Sequence, residues 1–187
     1  MTRVLPLLFL ACAFSCAVAQ SKPDQQGSAK EAASKLHADA VKLVEVSGAR
    51  QRLKDGMTGM VEEGRKAMME KCPACSPEFG DAWTRKMLER INIEDFLAVY
   101  VRVYEKYFND DDLVELISMQ KARSEGRQQD PSPPLKKKLD SVMPSVLGDS
   151  IGGCSEVGAK LGAEVGAEIE KEHPEYIKET PQDHPQK

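Results

Sequence analysis

The sharpest chemical feature of this 187-residue chain is Cys72-Pro73-Ala74-Cys75, two thiols three positions apart. That spacing lets a thiolate form at a helix start and exchange with its partner, which is the chemistry of a redox dithiol. Such motifs usually follow a strand, whereas here a helical pattern leads in. Met68 and Met69 lie just upstream, and thioethers with thiolates suit monovalent copper. Met57, Met60 and Met68, however, already fall on a helical core stripe, where methionine fills gaps. A structural disulfide is therefore the leading reading. A Cys72–Cys75 bridge closes a very short loop, while a bridge from either residue to Cys154 would close about 80 residues and stabilise by roughly 4 kcal/mol on the chain-entropy account. Joining sulfurs requires α-carbons within about 7 Å, and the local pair meets this without help from the fold. It ranks first, then the long bridge, then reduced or metal-bound thiols.

Little else in the chain assembles into a site. Nucleotide-loop, serine-elbow and zinc-protease motifs are absent from the sequence. Of the three histidines, His173 and His184 fall in the C-terminal stretch and His37 sits near the start of the first helix, so a general base with a fixed partner is hard to build. Asp110 to Asp112 lack the alternating acids, glycine and terminal glutamate of a calcium loop, and acids at a helix N-terminus explain them more simply. Lys136 to Lys138 read as a solvated helix face. Phe96, Tyr100, Tyr104 and Phe108 recur every four residues, a row that reads as core ahead of a cofactor site. The sequence thus assigns no catalytic residue, no metal ligand and no cofactor.

The elements that must position these residues are helical. Leu36, Ala40, Leu43 and Val44 form a first apolar face that stops at Ser47-Gly48, where glycine suits the left-handed residue after a helix. A second helix is predicted from Ala49 to about Lys71, with Leu53, Met57, Met60, Val61, Ala67 and Met68 on its apolar face. Ser76-Pro77-Glu78 opens a third, carrying Phe79, Trp83, Met87 and Leu88. Asn92, with Asp95 three residues on as an approximate capping box, opens a fourth. Asn109 and the acids after it open a fifth, through Leu113, Leu116, Ile117 and Met119. After a loop from Ser124 to Pro134 the periodicity returns, with Pro144 expected to kink the helix or mark a join. Between Val157 and Ile169 the chain repeats every four residues. Its three interior glycines cost about 1 kcal/mol each relative to alanine, so close helix approach must compensate. The expected fold is all-α, a bundle of about six helices with a long, Pro-kinked C-terminal helical region.

Arg3, the apolar run Val4 to Val18 and Ala17-Val18-Ala19 read as a secretory signal peptide over 1–19. Residues 20–30 read as a flexible lead-in, 31–172 as the helical domain and 173–187 as a disordered tail. About 15 apolar residues fall short of the roughly 20 needed to span a bilayer. A net charge of −4 argues against nucleic acid as a partner, since a phosphate backbone calls for a dense basic face. The expectation is an exported protein, periplasmic or secreted, monomeric or weakly dimeric. It would act as a binding or envelope-associated module toward a protein partner in the cell envelope. The alternative is a thiol-based redox or soft-metal protein using Cys72 and Cys75.

Three segments carry a family likeness. Val41 to Ala49 (VKLVEVSGA) is similar to the "LLELTGA" opening of the domain of unknown function 2059 family, exported bacterial helical proteins. Tyr104 to Ile117 (YEKYFNDDDLVELI) resembles that family's "YxxxFTxEELxELI" signature, and Val142-Met143-Pro144 its later Met-Pro helix. The chain departs from the pattern at Met119 and Gln120, which stand before a longer loop where the family has an aromatic pair followed by Ser-Pro-x-Gly. The resemblance implies an all-helical fold and export, and carries no catalytic residues.

Overall fold

The structure is a computed structural model describing residues 23–178. Six helices follow in order: α1 (Pro23–Val46), α2 (Ala49–Lys71), α3 (Pro77–Arg90), α4 (Ile93–Tyr107), α5 (Asp110–Ser124) and α6 (Pro133–Glu172), closed by a single 3₁₀ turn, Pro174–Tyr176. Among the described residues there is no strand, and none of the helices is long and apolar enough to cross a membrane. The signal-peptide segment 1–19 lies outside the described residues, as do residues 179–187.

Local signals set most helix ends. Gly48 takes φ 71° between α1 and α2, a left-handed conformation that costs glycine nothing. Pro77 starts α3 at its first helical position, and the Asn92 side chain accepts from the Glu94 backbone N–H to start α4. The reciprocal capping box occurs one helix later than expected. Asn109 Oδ1 accepts from Asp112 N (2.9 Å) while Asp112 Oδ2 accepts from Asn109 N (3.0 Å). At Asn92 the side chains of Asn92 and Asp95 meet each other instead, at 3.4 Å.

Two sequence expectations need correction and one is narrowed. The lead-in assigned to 20–30 enters α1 at Pro23, because proline is pre-organised for the first helical turn and glutamines and alanines then continue it. Of the two roles expected for Pro144, a join is not found, and the long C-terminal helical region is present as expected. The helix runs through it for 40 residues, with Leu139, Val142 and Val146 on either side packed into the core. The tail does not leave the protein at His173. Ser76 N donates to Tyr176 O (2.7 Å) and Lys178 N donates to Ala74 O (2.9 Å), while Tyr176 and Ile177 cover the end of a core cluster.

Two cores share the bundle. One joins α1, α4 and α5 with the first halves of α2 and α6, and the other joins α3 with the second halves of α2 and α6. At 1.5 Å per residue α6 is about 60 Å long, so it can serve both. The close approach required by its glycines is found, though unevenly. A Cβ on Gly153 would lie 2.6 Å from Val99 and one on Gly162 3.0 Å from Trp83, whereas Gly158 faces open space. Trp83 is held between Gly64 and Gly162, and its Nε1–H donates to Gly162 O at 3.0 Å. Beside it, Lys86 bonds Glu168 (2.6 Å) and Glu172 (2.8 Å), and Arg90 bonds Glu168 (2.6 Å), so the acidic ladder of α6 faces the basic edge of α3.

Candidate functional site

The sulfurs of Cys72 and Cys75 stand at bonding distance, 2.06 Å, on α-carbons 5.3 Å apart. The turn between them is closed by Cys75 N donating to Cys72 O at 2.9 Å. Cys154 is unbonded and half-buried on α6 beside the Tyr100 hydroxyl, so the long bridge does not form. Burial pushes the Cys154 thiol above its ordinary value, and the Tyr100 hydroxyl opposes that shift. Neither methionine upstream of the pair is directed to it alone. Met68 packs on the second core, and Met69 Sδ lies 3.2 Å from where a Cβ on Gly80 would be. Among the described residues no three His, Cys, Asp or Glu side chains converge on one point.

His37 does find a carboxylate, with Nδ1 2.6 Å from Glu105 Oε1 on the exposed α1–α4 surface. A separation of 68 residues hides this pair from sequence reading. His173 stacks on Tyr176 with ring centroids 4.6 Å apart and meets Glu175 at 3.0 Å, a local arrangement at the end of α6. Lys136 and Lys137 are exposed as expected, while Lys138 pairs with Asp112 and lies over the Phe108 ring.

A groove of about 1830 Å³ runs between α2 and α6. Both helices pack against α3 and α4, which form its floor. The aromatic row of α4 divides there. All four line the groove beside Trp83 and Met87, but Phe96 and Phe108 are buried as a core reading requires while Tyr100 and Tyr104 are only half-buried. The α6 wall presents Met143, Leu147 and Ile151, spaced by four residues and therefore on one helical row. On the α2 wall, Gly56 and Gly59 face open space where a Cβ would be, so nothing from that side fills the gap. Met60, expected in the core, is instead 43% exposed on this wall. Leu88 on α3 also proves exposed, although away from the groove.

Six large apolar side chains are conspicuously exposed among the described residues, and four of them, Met60, Met143, Leu147 and Ile151, line this groove. Ile151 reaches 67% exposure. Scattered apolar residues on a surface are ordinary, whereas here they concentrate along one concavity. The groove's ionised groups are few: Glu63, which bonds Lys66 at 2.6 Å, Lys71 and Arg123. Burial raises the Tyr100 and Tyr104 hydroxyls, which keeps them protonated along with the Cys154 thiol. Such a lining offers apolar contact and hydrogen-bond donors, with no acid and base set against each other. A smaller cleft of about 650 Å³ between α2 and α3 is lined mostly by charged residues, and its Arg65 and Asp81 pair with each other at 3.0 Å.

No protein family model, curated protein or solved structure matches the chain.

Proposed function

We propose that the protein acts by binding rather than catalysis, taking an apolar occupant into the groove between α2 and α6. The observation that carries this reading is the gathering of four of the six exposed large apolar side chains along one groove. Leaving them wet forgoes about 25 cal/mol for each square ångström of apolar surface that an occupant would cover. The direct test is fluorescence titration with 1-anilinonaphthalene-8-sulfonate, comparing the native chain with Ile151→Asp and Met60→Lys. Saturable binding lost in both variants, with unchanged circular dichroism, supports the groove. Equal binding by all three proteins refutes it.

Export, and with it a place in the envelope and kinship with the domain of unknown function 2059 family, belongs to the same proposal. It rests on the signal-like residues 1–19 and on the motifs within Val41–Pro144. N-terminal sequencing of protein recovered from an envelope fraction tests export, with Gln20 expected as the first residue. A second reading, thiol exchange, is favoured by one observation: Cys72 lines the end of the groove. Equilibration against glutathione tests it, since a purely structural bridge stays oxidised at cytosolic redox poise.

A further inference from the structure

We propose that the groove's occupant is an acidic amphipathic helix of a partner protein, about five turns long and carrying carboxylates toward both ends. This rests on the groove reading above and adds the identity of what fills it.

Dimensions come first. The α2 wall runs from Leu53 to Cys72 and the α6 wall from Leu139 to Ala163, which at 1.5 Å per residue are about 28 and 36 Å. A volume of about 1830 Å³ over those lengths is a mean section of about 50–65 Å². A helix with its side chains is about 10–12 Å across, a section of about 80–110 Å². A helix would therefore sink to about half its width or deeper and keep its outer face in water, as helix-in-groove complexes do. Pockets for small molecules span about 300–1,000 Å³, well short of this one. An extended peptide would bring backbone amides to walls with few partners for them, whereas a helix satisfies its own.

Charge decides what kind of helix. Of the three ionised side chains in the lining, Glu63 is already bonded to Lys66. That leaves Lys71 where α2 ends and Arg123 in the last turn of α5, on the side of the core shared by the first halves of α2 and α6, neither paired with a carboxylate among the described residues. The chain as a whole is acidic, so these two cations set a local sign opposite to the net charge of −4. A fatty acid has one head and can answer only one of them. A helix with an acid near each end answers both.

The test sorts a displayed library of 20-residue helices against the full chain. Each member has a fixed apolar face at i, i+3, i+4 and i+7, with Glu or Lys at random elsewhere. Enriched peptides are then titrated by Trp83 emission and by protection of Cys154 from alkylation, both reporters lying in the groove. The expected result is enrichment of Glu at both ends, with affinity falling at least tenfold in Lys71→Glu, in Arg123→Glu and in Ile151→Asp. All three positions are exposed, and unchanged circular dichroism verifies that each variant folds. No enrichment, enrichment of Lys-ended peptides, or indifference to the three substitutions overturns the proposal. Palmitate runs in parallel: if it protects Cys154 while no helix is enriched, the groove reading stands and the helical occupant falls. If neither palmitate nor any helix binds, both fall. A dimer by light scattering that Ile151→Asp converts to monomer would show a second copy in the groove and would also overturn the proposal.

Discussion

Gly152 and Gly153 are neighbours in the middle of α6, yet replacing each with alanine is expected to move stability in opposite directions. In a helix interior alanine is favoured over glycine by about 1 kcal/mol, and both positions lie far from the ends of a 40-residue helix. A Cβ on Gly152 meets nothing within 4 Å, so Gly152→Ala keeps the whole gain. A Cβ on Gly153 would lie 2.6 Å from Val99 Cγ1, with Cγ2 at 3.5 Å and Cβ at 3.7 Å. Val99 is 2% exposed and, as a β-branched residue within α4, has one strongly preferred rotamer, so it has nowhere to turn. Overpacking of this kind costs about 1–3 kcal/mol. Set against the propensity gain, Gly153→Ala is expected to lose up to about 2 kcal/mol. Adding Val99→Ala vacates the space the new methyl needs, so the double variant should exceed the sum of the two single changes by about 1 kcal/mol. Urea unfolding followed by circular dichroism and by Trp83 emission measures the native protein and the four variants, and each kcal/mol corresponds to about 2–4 °C in Tm for a chain of this size. Equal shifts of the same sign at 152 and 153, or strict additivity in the double variant, would refute the close α4–α6 packing on which the estimate depends.

Replacing Cys72 and Cys75 with serine opens a loop of only four residues, an expected loss of about 2 kcal/mol on the chain-entropy account. Amide exchange at Ser76 and Lys178 should accelerate along with it, because those N–H groups tie the tail to the turn; unchanged protection there would count against the link. Alkylation of Cys154 should rise with pH later than in the urea-unfolded chain, since burial holds the thiol protonated where a free cysteine already ionises. Tyr100→Phe should delay it further by removing the hydroxyl that lowers the thiol, and a shift to lower pH would contradict that arrangement. Asn109→Ala removes one half of the α5 capping box and should cost about 1 kcal/mol by thermal unfolding, while Asn109→Asp should cost less.

The helices were legible in the sequence because their signals act within a turn or two. Gly48, Ser76-Pro77, Asn92 and Asn109 punctuate the chain where α2, α3, α4 and α5 begin, and a 3.6-residue apolar period carries each helix between them. The bond between Cys72 and Cys75 is likewise local, needing only a tight turn. The groove had no such signature. Gly56 and Gly59 read as weak points of a helix, and only the placement of α6 across from them turns missing side chains into a space. Met60, Leu147 and Ile151 satisfy the apolar period as well as any buried residue does, and periodicity cannot say that their partner is absent. The repeat from Val157 to Ile169 treats its glycines alike, while Trp83 seats against Gly162 and leaves Gly158 open. His37 and Glu105, and the tail returning to Ala74 and Ser76, are brought together across 68 and about 100 residues. Local chemistry determines which residues are helical. Which helical face is covered depends on where distant elements come to rest, and that is decided only when the whole chain packs.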